Sequence, residues 1–392
     1  MRIGFFTPNY PGLTGEGGIG SYTRTLGHGL AALGHEVHVL APGDRPATAD
    51  GPVHVHFTST RHLPGLDKLV PGAGACWRVG RAMRRLVRDH RLDVIEFPNW
   101  EGYGLPFARL ARTPTVVRLY TSSVESQRID DTATSRWHAW NNWRERAIGH
   151  AADAVVTHSA AHRREMCAET GLAEEAVRLI PLGIEMSPEW VRPSRPPGPP
   201  TVVYLGRLEH RKGTVELLQA VPRVLAAVPD ARFVLIGGDR PHGPGGRTHA
   251  EYLAHDFPPA VRAAVTLAGR LPQPEVDAWL QRADLFVAPS RYESFGLIFL
   301  EAMRWGTPVV GTTAGGIPEV VGHGTSGWLV PPENPGELAA AVVRLLTDDG
   351  LRATLAAAGR ERAEKEFAVE RMANRMAELY AEVVTRSGRR NR

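Results

Sequence analysis

The chain has 392 residues, 43% hydrophobic and 22% charged, with a formal net charge of +4; these are ordinary figures for a soluble globular protein long enough to build two or three cored domains. Cys76 and Cys167 are too few and too far apart for a disulfide scaffold or a CxxC metal site, which points to a reducing cytoplasm. No apolar run approaches the roughly 20 residues that span a bilayer, the start Met1-Arg-Ile-Gly-Phe reads as a strand rather than a signal peptide, and the mild positive charge comes without any module expected of a nucleic-acid partner.

In chain order, short apolar runs alternate with helical patterns, which predicts parallel sheets built from βαβ units. In the first half the strand candidates are Ile3 to Thr7, Val37 to Ala41, Val53 to Phe57, Val94 to Phe97, Thr115 to Leu119, Ala154 to His158 and Val177 to Ile180. Ser59 to Ala75, rich in Pro and Gly, reads as a long loop able to close over a ligand. Cys76 to Arg88 follows as a helix with five arginines beside Trp77, Val79, Met83, Leu86 and Val87. Its apolar face is expected on the sheet and its basic face in water, with peripheral membrane docking as the alternative. Asn99, Trp100 and Glu101 stand at a strand's C-terminal end, where open α/β sheets place ligands. Trp137, Trp140 and Trp143 recur at helical spacing and predict a buried helix stripe in preference to a sugar-stacking platform.

The prolines between Met186 and Pro200 exclude helix and sheet, marking a linker at 186–200 between a first domain over 1–185 and a second from 201. The plan then repeats with Val202 to Leu205, Phe233 to Ile236, Val265 to Leu267, Leu285 to Ala288, Thr307 to Gly311 and Gly327 to Val330. The predicted class is therefore α/β, with two Rossmann-like doubly wound domains facing a cleft. A final helix from about Val369 to Val384 follows a second domain that is already complete near residue 367.

The chemistry concentrates in two segments of the second half. In Glu293-Ser-Phe-Gly-Leu-Ile-Phe-Leu-Glu301 two carboxylates flank what reads as a helix N-terminus, whose free amides and positive dipole end favour an anion such as phosphate. The carboxylates can lie up to roughly 10 Å apart, and carboxylates repel phosphate but accept strongly from hydroxyls. Gly206-Arg-Leu-Glu-His-Arg-Lys-Gly213, at the end of a predicted strand, adds fixed positive charge. Of the 46 Lys and Arg residues only Lys68, Lys212 and Lys365 are lysines, so Lys212 stands against a strong bias. Arg207 offers a flat fork and Lys212 a compact point charge, two different contacts for one diphosphate. A diphosphate with hydroxyl-bearing sugars at both ends, a nucleotide sugar, satisfies both segments, whereas a solvated surface turn is the plain alternative for the second segment read alone.

Gly15-Glu-Gly-Gly-Ile-Gly20 formally contains GxGxxG and raises a dinucleotide-binding dehydrogenase as a rival. The loop from Pro8 to Thr14 is long and carries two prolines where that fingerprint wants a tight turn, and Asp44 lies beyond the expected acid position. No GxxxxGK[ST] occurs, which excludes a P-loop hydrolase.

With these residues in place, the chain resembles glycosyltransferase family 4, retaining enzymes of the GT-B fold. The resemblance covers nearly the whole length and rests on Glu293 and Glu301, Gly206-Arg207 with Lys212-Gly213, Gly17-Gly18-Ile19, and Gly315-Gly316-Ile317-Pro318-Glu319. It implies that the last helix, 368–392, returns to an acceptor-binding first domain, while 201–367 binds the nucleotide sugar. It implies donor contacts from Gly17, Gly18, Arg207, Lys212, Leu271, Glu293, Ser294, Phe295, Gly296, Leu297 and Glu301, with Glu301 on the ribose and Glu293 on the sugar. Arg207, Lys212 and Glu293 would be catalytic, although Glu293 is not expected to be a nucleophile. Where the family commonly has histidine this chain has Tyr120, a candidate for the donor sugar together with Asn99, Trp100 and Glu101. There is no Asp-x-Asp and no compact His/Cys cluster in the sequence, so no metal and no further cofactor is expected. The expected activity is retaining transfer from a UDP-sugar, or a GDP-sugar, to a small-molecule or lipid-linked acceptor, with a nucleotide-sugar-binding pseudo-enzyme as the second reading.

Overall fold

A computed structural model describes residues 1–15, 17–61, 63–125, 136–187, 198–241 and 243–390. The chain divides into two compact units, Met1–Gly183 with Val369–Arg392, and Ile184–Ala368. Most of the proline-rich linker, 188–197, lies outside the described residues, as does 126–135 beyond Tyr120. No helix among the described residues is long and apolar enough to cross a membrane.

The first unit holds an eight-stranded sheet in the order β3-β4-β2-β1-β5-β6-β7-β8. Its strands are β1 (Arg2–Phe6), β2 (Glu36–Pro42), β3 (Thr48–Asp50), β4 (Val53–Thr58), β5 (Val94–Pro98), β6 (Thr115–Arg118), β7 (Ala154–Thr157) and β8 (Val177–Leu179). Ile3, Phe5, Val37, Val39, Val94 and Ile95 are all at most 1% exposed. Such continuous apolar runs suit parallel strands covered on both faces.

The strand absent from the sequence reading is β3, which pairs antiparallel with β4. Thr48-Ala-Asp50 has no apolar run to announce it. Its anchor is polar: Asp50 accepts from Tyr10 Oη at 2.8 Å and Arg24 Nε at 2.7 Å, and meets His28 Nε2 at 3.0 Å.

Two readings of the connecting segments change and one holds. The stretch predicted as a long loop contains α2 (Pro64–Leu69, after α1 at Gly18–Ala32) and the start of α3 (Ala73–His90). Asp67 ties the two together, accepting from the backbone of Leu63 and, at 2.9 Å, of Gly74. The basic helix α3 does bury Cys76, Val79, Met83 and Leu86 and leaves Trp77 44% exposed. The tryptophan stripe is overturned. In the helix Arg136–Ala151, Trp137 and Trp143 are 39% and 47% exposed, while Asn141, Arg144 and Glu145 are buried. The reason is hydrogen bonding: Arg144 donates to the carbonyls of Pro71 and Glu101, and Glu145 accepts from the Ser123 N–H and hydroxyl and the Glu101 N–H. Arg144 and Glu145, each met by several hydrogen-bond partners, outcompete the tryptophans for the interior.

The C-terminal helix Val369–Arg390 belongs to the first unit. Met372, Ala373, Met376, Leu379, Tyr380 and Val383 are buried at helical spacing. Tyr380 Oη donates to Glu96 Oε2 at 2.6 Å, Tyr22 Oη donates to Glu96 Oε1 at 2.9 Å, and Arg118 Nε lies 3.6 Å from the same carboxylate. The Arg118 guanidinium also covers the Tyr22 ring at 4.3 Å. One buried carboxylate thus joins β5, β6, α1 and the last helix.

The second unit carries a six-stranded, all-parallel sheet in the order β11-β10-β9-β12-β13-β14. The strands are β9 (Thr201–Leu205), β10 (Arg232–Ile236), β11 (Val265–Gly269), β12 (Leu285–Val287), β13 (Val309–Thr312) and β14 (Trp328–Val330). The chain winds outward from β9 to β11, then returns to the other side of β9 with β12. The boundary between β9 and β12 is the topological switch point, where such sheets open a ligand crevice at the strand C-termini.

Removing one member of the buried knot leaves its partners unsatisfied. Glu96→Gln is expected to lower stability by about 3–5 kcal/mol because Arg118 stays buried without its counter-ion. Tyr380→Phe should cost only about 1 kcal/mol. Urea midpoints check both, and equal small losses would show that the knot does not hold the last helix.

Candidate functional site

The two segments singled out in the sequence meet at this switch point. The loop after β9 turns through a short 3-10 segment, His210–Lys212, and ends on Gly213 at φ +67°. A Cβ at Gly213 would lie 1.9 Å from the Pro289 carbonyl oxygen, so only glycine lets the β9 loop rest on the β12 loop. The Arg291 N–H donates to the Arg211 carbonyl at 2.8 Å across the same seam. From the other side, Gly315 at φ +56° would place a Cβ 2.2 Å from the Glu293 carbonyl oxygen, which accepts from the Gly316 N–H at 2.8 Å. The glycines quoted as a motif therefore press the loops after β9, β12 and β13 together.

That seam aligns the charges. Lys212 Nζ lies 2.5 Å from Glu293 Oε1, Arg211 Nη1 lies 3.7 Å from Glu293 Oε2, and Ser290 Oγ donates to Glu293 Oε1 at 2.9 Å. Arg207 and Arg211 both meet Glu209 Oε1 at 3.2 Å. Lys212 and Glu293 expose only 13% and 10% of their side chains, whereas Arg207 exposes 51%. Burial alone would raise the Glu293 pKa, but Lys212, Arg211 and the Ser290 hydroxyl hold it below the usual carboxylate range. Burial lowers the Lys212 pKa despite Glu293. Three cations face two carboxylates, leaving one net positive charge beside the crevice. Glu209 and Arg211 stand within the motif without a role that the sequence assigns; their clue is the alternation of sign over five residues, which a surface turn also shows.

Downstream, Phe295 is buried against Phe367, the ring centres 5.8 Å apart, and Gly296 at φ +102° caps the helix Leu297–Met303. The helix starts at Leu297, so Phe295 and Gly296 form its approach. Ser294 and Leu297 are partly buried beside them. Glu301 lies on the second turn, its pKa pushed up to about 7 by burial, with Asp277 raising it further and Arg304 and Lys212 opposing. Leu271 is partly buried just after β11, apart from the charged seam in sequence.

In the first unit, Gly17 caps α1 and Gly18 is exposed, with nothing within 4 Å of a Cβ built on it. Asn99 is fully buried, donating from Nδ2 to the Tyr120 carbonyl at 3.1 Å and accepting the Tyr120 N–H at 2.7 Å. The structure thus unites Asn99 and Tyr120 through a backbone clamp. Glu101 adopts φ +55° and accepts from Tyr103 Oη at 2.5 Å, while Trp100 is partly buried.

The family described as Glycosyltransferase Family 4 matches residues 16–187, and that described as Glycosyl transferases group 1 matches residues 199–348. The chain is 30% identical to the phosphatidyl-myo-inositol mannosyltransferase of Mycobacterium leprae over 403 residues, 98% of each chain. It is 28% identical to the glycogen synthase of Mycobacterium tuberculosis over 404 residues, 97% of this chain and 94% of that one. Among solved structures, the sucrose-phosphate synthase of Thermosynechococcus elongatus superposes with a TM-score of 0.79 at 24% identity, covering 98% of this chain and 99% of that one. Anabaena HepE in complex with UDP and glucose gives 0.73 at 21% identity, covering 97% and 99%. The fold is therefore GT-B. The chain belongs to glycosyltransferase family 4, the group 1 glycosyltransferases, which act on nucleotide-sugar donors.

Three outcomes follow for these residues. Gly213→Ala should lower stability by about 1–3 kcal/mol through backbone strain, read as a shift in melting temperature. Because the folded pKa of Glu293 is depressed, its pairing contributes stability above pH ~4.5 that is lost as pH falls through the lowered value. Lys212→Met is accordingly expected to cost about 3–5 kcal/mol at neutral pH, and less in acid. Glu301 has the opposite sign: its raised pKa imposes a penalty that grows from pH ~4.5 to about 7. Glu301→Gln should flatten that part of the stability profile, and an unchanged profile would refute the assigned burial.

Proposed function

We propose that the protein transfers a hexose, with retention and without a divalent metal, from a nucleoside diphosphate sugar to an acceptor hydroxyl. The observation that carries this reading is the trio Arg207, Arg211 and Lys212, held by glycine-only contacts at the switch point with Glu293 between them. Arg207 and Lys212 would hold the diphosphate, with the Phe295-Gly296-Leu297 amides and Gly17-Gly18 assisting. Glu301 would accept from the ribose hydroxyls and Glu293 would contact the sugar. As the glycosidic C–O bond breaks, negative charge grows on the diphosphate, and cations already fixed in place lower the barrier without reorganising. A leaving phosphate oxygen takes the acceptor's proton on the same face, so Glu293, ionised and ion-paired, acts by positioning and charge rather than as a nucleophile or base.

UDP is the favoured nucleotide because HepE is described in complex with it. A GDP-mannose-dependent mannosyltransferase of Mycobacterium tuberculosis, 29% identical over 407 residues, keeps GDP as the alternative. The named relatives support an acceptor that is either a soluble saccharide or a lipid-linked polyol.

Calorimetric titration with UDP and GDP tests the site. Lys212→Ala and Glu301→Ala are each expected to weaken the preferred diphosphate at least tenfold, about 1.4 kcal/mol; unchanged affinity in both would remove the assignment. Transfer should persist in excess chelator and yield the donor's own anomeric configuration by NMR. Diphosphate binding without transfer across a broad acceptor panel would instead favour a pseudo-enzyme.

A further inference from the structure

The first unit gathers three imidazoles that the sequence keeps far apart: His38 on β2, His56 on β4 and His90 at the C-terminus of α3. Their nearest ring nitrogens all lie within 4.8 Å of one another. His38 Nδ1 and His56 Nε2 are 3.0 Å apart, and the His90 ring centre lies 4.3 Å from that of His38 and 5.1 Å from that of His56. Since β2 and β4 are parallel with Leu40 opposite His56, the two histidines project from the same face of the sheet two residues out of step.

We propose that His38, His56 and His90 form a binding site for one borderline divalent transition-metal ion of the Zn²⁺, Co²⁺ or Ni²⁺ class. Three observations converge on it. The spacing is right: metal–nitrogen bonds of about 2.0–2.1 Å around a tetrahedral ion separate its ligand nitrogens by roughly 3.3 Å, close to the 3.0 Å between His38 and His56, with all three nitrogens within 4.8 Å of one another. The outer shell is in place as well. Glu36 Oε1 meets His38 Nε2 at 2.9 Å; a carboxylate only accepts, so Nε2 carries the proton and the Nδ1 lone pair faces the cluster, the carboxylate–histidine arrangement that orients metal ligands. Finally, His90 is the last residue of an 18-residue helix, whose C-terminal end carries partial negative charge and favours a cation.

His54 stacks on His38 with ring centres 4.9 Å apart and walls the site on one side. On binding, His56 moves its proton from Nε2 to Nδ1 and the ion takes the vacated lone pair; the fourth position is left to water. His38 and His56 lie within β2 and β4 and His90 ends α3, so an ion held by all three staples the helix to the sheet.

The test uses the full chain without a histidine tag, stripped with EDTA and exchanged into chelator-free buffer. Titration with Zn²⁺ is expected to show one ion per chain, and Co²⁺ should give the visible absorption of a tetrahedral nitrogen site. His90→Asn and His56→Asn should each weaken Zn²⁺ at least tenfold and abolish the Co²⁺ band, while exposed His255→Asn changes neither. Zn²⁺ should raise the melting temperature of the wild type and not of His90→Asn, whose metal-free melting temperature reports its folding. Affinity unchanged in both cluster variants, or no stoichiometric binding by the wild type, overturns the proposal.

Discussion

Everything at the candidate site depends on loops brought into backbone contact at two glycines. Gly213 rests on the Pro289 carbonyl and Gly315 on that of Glu293, at separations no side chain permits and in left-handed conformations that glycine adopts without strain. The first contact fixes Lys212 and the second fixes Glu293, so the distance between the two charges is set by main chain. A long lysine held this way has lost its rotamer freedom before any ligand arrives.

The charges so held are mutually neutralising rather than simply positive. Glu209 bridges Arg207 and Arg211, and Glu293 engages Arg211 and Lys212. Buried cations require counter-ions, since an unpaired one costs more than folding can supply. The result is a chain of alternating sign with a small positive surplus. Arg207, half exposed, is the member open to solvent, and Lys212 the member enclosed.

A parallel logic shapes the first unit. Glu96 with Arg118, Tyr22 and Tyr380, and Glu145 with Ser123 and the Glu101 backbone, put charge where composition suggests apolar packing. In both cases the carboxylate is satisfied by donors from several elements, which makes position specific as well as stable. The last helix is fastened to the first sheet by one such carboxylate together with its apolar stripe, and the hairpin strand β3 by another, Asp50.

Of the fourteen strands among the described residues all but β3 fall on segments the sequence marks as strands, because parallel strands covered on both faces are rich in apolar residues. The phosphate-type motif is equally legible: Lys212 stands out in an arginine-rich chain, and Gly213 and Gly315 stand where loops must touch. What the sequence could not settle is which polar residues go inside. Trp137 and Trp143 read as core and lie exposed, while Arg144 and Glu145 lie buried, because their hydrogen-bond partners come from segments dozens of residues away. The same holds for His38, His56 and His90, which only the pairing of β2 with β4 and the docking of α3 bring together. Periodicity is a local property and is written in the chain; the satisfaction of a buried charge, or the meeting of three imidazoles, is a non-local one that exists only once the chain has folded.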